Sequence, residues 1–465
     1  MYRYEAVVSQ VREWIATGLL KPGDRLLSVR ELSSKLGYST VTVHQALTAL
    51  QDEGILRAEP RSGFYVSATA RRLPEFTLET DFIPGTGGGA GVDAGGLTGD
   101  DAFPAVAISE DLTPGDELYR MLTSNIRWEG AKAELAPPLG IPALREAVAK
   151  RVIDRAPARR VRDIIIAPNK RHALDICLDI LLPRQGKVLV ETPTDPRIVS
   201  ALLRRHAEIV EIYSHPRLGL DPDQLEHLAR TNDIALCILS LTNHIPTGIS
   251  YGESVAKRVS QIAAEHGFPI IEDMPSQGIV HDEVVMGLTE FDTRSSVFRI
   301  GSFSDSLGER FGLGWVAVPH KYHHQIRPPA TYNLAGEWAR QKAVAEFIGR
   351  RSYDKHVKKI KEAVSNRLHK GLSLLFQHLP QNCTVSRPPT GYMCWVRGPK
   401  EFNALTLRSE KALMEFFAPG PAFSCTRAFG NFFSLNLSHP WTPEREHELT
   451  RLGQALASYR DGSRA

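Results

Sequence analysis

Cysteine is scarce in this chain: five in 465 residues, Cys177, Cys237, Cys383, Cys394 and Cys425. The number is odd and no CxxC spacing occurs. This argues against a disulfide framework and leaves reduced thiols packed as small hydrophobes. Net charge is also small, +3 at neutral pH, so any attraction for nucleic acid must be local. No apolar run approaches the roughly 18 residues of a membrane span. The N-terminus, Met1-Tyr2-Arg3-Tyr4-Glu5, has no apolar signal core, so a cytoplasmic location is expected. The histidines His215, His244, His266 and His281 have no metal-ligand spacing, and no metal is expected. The glycines from Gly85 to Gly91 are not followed by Gly-Lys-Ser/Thr, so they form no phosphate loop.

The length predicts two or three domains, and a hydrophobic fraction of 42% is enough for a sizeable core. Residues 1–67 read as a helical unit ending in a hairpin. Val7, Val8, Val11, Ile15 and Leu19 recur at helical spacing. Ser28 with Glu31 forms a capping box before a second helix that Gly37 ends. Ser39 caps a third helix, from Val41 to Glu53, and Leu56 to Val66 reads as two strands around Pro60-Arg61-Ser62-Gly63. Residues 68–115 are glycine-rich and read as a flexible linker. From about 116 onward, β-branched runs at 164–166, 187–191, 234–239, 269–273, 297–300 and 314–318 alternate with amphipathic stretches. That pattern predicts a mostly parallel α/β sheet. From about 335 a long charged helix is expected, then strands at 394–396 and 432–437 in a smaller α+β subdomain.

The first 70 residues concentrate basic charge, including Arg3, Arg12, Lys21, Arg25, Arg30, Lys35, Arg57 and Arg61. The turn Leu36-Gly37-Tyr38-Ser39 joins two helices as in a helix-turn-helix. Thr40, Thr42, His44 and Gln45 then carry polar groups suited to the major groove. The hairpin tip, with Arg61 and Gly63, would be the wing. The expected DNA-contact set is Arg30, Ser39, Thr40, Thr42, His44, Gln45, Arg61 and Gly63. A dimerisation module with solvated surface arginines is the alternative. Residues 22–32, followed by Leu36 to Ser39 and by Thr42-Val43, resemble the winged-helix signature of the GntR regulator family. Two departures stand out. Leu27 replaces a usual proline, and Thr40 replaces a usual arginine, so base preference is expected to differ from the family's.

Residues 116–465 resemble fold-type I aminotransferases, and the whole arrangement resembles the MocR subgroup of GntR regulators. Pro138 to Glu146, Pro246-Thr247-Gly248, Glu272-Asp273, Gly301 to Ser304 and Thr390 to Trp395 carry the resemblance. It implies a multidomain fold: an N-terminal winged helix-turn-helix (α+β), then an α/β fold-type I transferase-like domain with a smaller C-terminal α+β subdomain. It also implies a homodimer and, in ordinary members, pyridoxal phosphate held on a lysine. Here Asp305 stands at that lysine, and no lysine lies between Ile271 and His320. A carboxylate cannot form an imine. Gly312 stands where a phosphate-binding arginine is usual, with Arg310 two positions early. Ile245, Asp195 and Ser434 replace an asparagine, an aromatic and a substrate-clamping arginine.

The altered pocket would be formed by Asn169, Lys170, Asn243, Asp273, Ser302, Ser304, Asp305 and Arg310. Lys170-Arg171-His172 falls at a helix start, as either an anion site or a solvated basic turn. The expectation is a DNA-binding transcriptional regulator with no catalytic residues and no covalent cofactor; pyridoxal phosphate would bind non-covalently at most. It would dimerise, bind an operator with paired half-sites and sense an unidentified small molecule. The alternative is an aminotransferase-like enzyme or a pyridoxal-phosphate-responsive regulator with an atypical site.

Overall fold

Ser28 opens the second helix as the sequence predicts. Its hydroxyl accepts from the Glu31 amide and its own amide donates to the Glu31 carboxylate at 2.7 Å. The box fixes a helix of only eight residues, too short to be stable alone. Gly37 ends that helix at φ 73°, in the left-handed region that favours glycine.

The structure is a computed structural model. It describes residues 3–16, 19–20, 23–52, 55–59, 62–66, 76, 103–129, 137–152, 161–182, 186–274, 287–326, 337–388, 391–409 and 415–459. By internal contacts the chain divides into two compact units. One is Met1–Pro74 with Asn366–Thr384 and Trp441–Ala465; the other is Glu75–Ser365 with Val385–Pro440.

In the first unit, α1 (Arg3–Ala16), α2 (Val29–Leu36) and α3 (Thr40–Asp52) are followed by β1 (Leu56–Glu59) and β2 (Gly63–Val66). The strands pair antiparallel, Leu56 opposite Val66. Val7, Val11, Leu32, Val43, Leu47, Leu50 and Val66 are fully buried in one cluster. Each side chain of this kind stabilises by roughly 1.5–3 kcal/mol on full burial. The cluster takes one face of α3 and leaves the opposite face to solvent.

In the second unit, α4 (Phe103–Val106), α5 (Gly115–Glu129) and α6 (Pro142–Val152) precede β3 (Ile164–Ala167). Then come α7 (Lys170–Leu181), β4 (Lys187–Thr192), α8 (Pro196–Arg204), β5 (Glu208–His215) and β6 (Gly219–Leu220). After these lie β7 (Ile234–Leu239), β8 (Ile270–Asp273), β9 (Val297–Ser302) and β10 (Gly314–Ala317). Among the described residues the sheet has eight strands, in the order β3-β10-β9-β8-β7-β4-β5-β6. The run from β9 through β8, β7 and β4 to β5 is parallel, and β10 is antiparallel to both its neighbours. The carboxyl ends of these parallel strands therefore share one edge, the edge at which open α/β sheets place their sites.

A smaller antiparallel sheet sets Phe432–Asn436 between Met393–Arg397 and Phe417–Pro419. The expected long charged helix is two, Glu337–Ile348 and Arg351–His378. The stretch expected as linker, 68–115, is described at residue 76 and from 103 onward. There Phe76, Ala105, Val106 and Ile108 are buried with Trp395, Phe429 and Phe432. Apolar packing fixes these positions in the second unit; residues 77–102 lie outside the described residues.

Candidate functional site

On the exposed face of α3, Thr40, Val41, His44 and Gln45 form one stripe, because residues four apart stack on a helix. Val29 and Arg30 from α2 complete a single open concavity with them. Ser39 and Thr42 sit at its edge. The Ser39 hydroxyl accepts from the Thr42 amide at 3.1 Å and bonds the Thr42 hydroxyl at 2.8 Å. These two candidates thus cap the helix, while Arg30, Thr40, His44 and Gln45 face solvent. The His44 ring meets Phe64 of β2 edge-on at 6.3 Å, which fixes the hairpin against the helix. Gly63 opens β2 at φ +113°. Arg61 lies outside the described residues.

The second site collects at the shared strand edge. Asn169 caps α7, accepting from the His172 amide at 3.0 Å. Lys170 is the first residue of that helix, and its side chain turns inward to 6% exposure. Its ammonium lies 2.8 Å from Asp273 at the end of β8 and 3.3 Å from Asp195. The basic-turn reading of Lys170 is therefore corrected. A cation in the first turn opposes the helix dipole, and two buried carboxylates offset that cost. Asp195 caps α8 and grips Arg197, Nε at 2.9 Å and Nη2 at 2.6 Å. Burial works to raise the Asp195 carboxyl, but Arg197 and Lys170 overcome it and hold it well below the usual range. Burial also lifts Asp273, and there the Lys170 charge does not fully reverse it.

Nearby, Ser302 and Ser304 bond each other through their hydroxyls at 2.7 Å. The Tyr392 hydroxyl donates to Asp305 at 3.0 Å. Asn243, at φ 46°, is 1% exposed, and neither amide atom has a partner among the described residues. Its oxygen packs so close to Gly391 that a Cβ there would lie 2.2 Å away. Arg310 does not join the group. It is exposed and its guanidinium turns outward, bonded to the Tyr119 hydroxyl on α5. Gly312 cannot supply the missing arginine, since a Cβ there would sit 2.8 Å from the Ser304 Cα. Ser434 is buried inside the smaller sheet, opposite Trp395.

The sequence reading missed Arg197 and the engagement of Lys170 by Asp195 and Asp273. The available signal was an acid after β4 and another at the end of β8, two parallel strands whose ends converge.

Glu191, at the end of β4, is a separate buried acid. It accepts from the Ser240 amide at 2.6 Å and from the Tyr251 hydroxyl. Burial pushes its carboxyl up to about 7 against those hydrogen bonds. His244, 3.8 Å away, is driven by burial down to about 3 and stays neutral. With a folded value above the unfolded one, Glu191 contributes stability that is full below about pH 4.5. That contribution is lost as pH rises through about 7, and over the window it amounts to about 3 kcal/mol. Thermal melts between pH 5 and 8 should show a flatter pH dependence for Glu191→Gln than for the parent. Equal slopes would place the proton elsewhere.

Residues 3–66 match the family described as "Bacterial regulatory proteins, gntR family". The HTH-type transcriptional regulator YdcR of Escherichia coli (strain K12), itself uncharacterized, is 26% identical over 471 residues. That match spans 98% of this chain and 99% of YdcR. Aromatic-amino-acid aminotransferase 1 of Thermococcus litoralis is 25% identical over 376 residues, 78% of this chain and 87% of its own. A crystal structure of a multiple substrate aminotransferase from Thermococcus profundus superposes with a TM-score of 0.68 at 22% identity. It covers 76% of this chain and 90% of that one, and establishes the fold.

Fold and relatives together define a helix-turn-helix transcriptional regulator that carries an aminotransferase-like domain. The chain has the MocR-type architecture, a GntR-family winged helix joined to a fold-type I body. No helix among the described residues is long and apolar enough to cross a membrane.

Proposed function

We propose that this regulator binds operator DNA through its winged helix. Its aminotransferase-like domain would work without covalent pyridoxal phosphate, serving dimerisation and the sensing of a small molecule. The carrying observation is the ion-paired pocket. Asp305 cannot form the imine, and the Lys170 ammonium already occupies Asp273, the acid that would face a pyridine nitrogen. Among the described residues, the serine hydroxyls at the place for a phosphate are paired with each other, Arg310 is turned outward and there is no space for a side chain at 312. Each cation of the cluster is engaged by a carboxylate. These residues do not fit a dianionic aldehyde cofactor held on lysine. The catalytic reading draws on the relation to an aminotransferase, and absorption spectroscopy separates the two.

The DNA role is tested on the full-length protein with a duplex recovered by in vitro selection. Arg30→Ala should weaken binding about ten-fold at fixed salt and lower the slope of log K against log salt by about 1. Unchanged affinity and slope would remove Arg30 from the interface. Light scattering of the same preparation should give the mass of a dimer at micromolar concentration, and a monomer there would end the paired half-site reading.

A further inference from the structure

Val41 is 76% exposed, an unusual setting for a β-branched apolar residue in the first turn of a helix. The helix does not need it there, since valine is a middling helix former. Nor does the core of the winged helix cover it. Val43, Ala46, Leu47 and Leu50 point the other way, into the buried cluster. Arg30, Thr40, His44 and Gln45 share its concavity, and Val29, only partly exposed, is the other apolar side chain that lines it. Val41 is thus the more exposed of the two apolar side chains there, beside hydrogen-bonding neighbours and at the end of the helix that enters the groove first. Ser39 and Thr42, which flank it, have their hydroxyls tied to each other, leaving Val41 among the first side chains to meet a base edge.

In the major groove the only apolar group any base pair presents is the C5-methyl of thymine. Resting on the reading of this unit as DNA-binding, we propose that Val41 recognises a thymine methyl and so fixes one base of each half-site. Gln45, one turn further along the same face, lies about 6 Å on. That is close to two base steps, a reach that lets its amide address a neighbouring pair.

The test uses the full-length protein and the selected duplex, with each thymine replaced in turn by deoxyuridine, which removes the methyl and nothing else. One thymine per half-site should show a loss of about four-fold, the size expected for exposing one buried methyl group. Val41→Ala, which favours the helix, should abolish that penalty. Uniform tolerance of deoxyuridine, or a penalty that persists in Val41→Ala, overturns the proposal. A selection that returns no sequence overturns it together with the DNA-binding reading, so the two failures are told apart.

Discussion

Replacing Lys170 with alanine is expected to cost about 3–5 kcal/mol of folding stability, the range for removing one partner of a buried ion pair. The ammonium is nearly inaccessible and contacts two aspartates exposed by only 1–2%. Without it Asp273 loses its cation, and Asp195 keeps Arg197 alone. Asp273 would respond by holding its proton to higher pH, so the variant should be least stable above neutrality and recover in acid. Denaturant unfolding at pH 5 and pH 8 measures both effects. Adding Asp273→Asn to the alanine variant should restore much of the loss, because the orphaned charge is gone. A loss under about 1 kcal/mol at pH 8 would mean that water reaches the pair and that the pocket is open.

The protein purified in the presence of pyridoxal phosphate is expected to show no absorption of a lysine-bound cofactor and no pyridoxyl-lysine after borohydride. Asp305→Lys alone should not create either signal. The new amine would enter a site where Lys170 still occupies Asp273, Gly312 leaves no space for an arginine and Arg310 is held on Tyr119. Only Asp305→Lys combined with Lys170→Ala both supplies an amine and frees Asp273, so any signal should appear first in that pair. A lysine adduct in the unaltered protein, located by mass spectrometry, would restore the enzyme reading. A full band in Asp305→Lys alone would show that Lys170 does not close the site.

The winged helix was legible because its signals are local. A capping serine with a glutamate three residues on, a left-handed glycine and an apolar period each act within one or two turns. The strands of the large sheet were legible for the same reason, since β-branched runs bury both faces. The loss at Asp305 needed only the order of residues in one segment.

What that order left open was decided by assembly. Lys170, Asp195 and Asp273 are far apart in sequence and meet because β4, β7 and β8 run parallel side by side. Their carboxyl ends, and the start of α7, thereby share one edge. No local pattern states that strand order, so a lysine at a helix start read equally well as a solvated charge. Arg310 turned outward for a comparable reason: its nearest partner, Tyr119, belongs to α5, which packing brings alongside. Residues 105–108 looked like the end of a linker because they follow the glycine-rich run from Gly85 to Gly99. They are held by aromatic partners more than 280 positions away in the chain, as in the bond from Tyr392 to the Val106 carbonyl with a sequence separation of 286. Short-range chemistry determined the elements and the missing amine; long-range packing alone determined which charges face each other, because burial makes an ion pair depend on what the fold brings within about 3 Å.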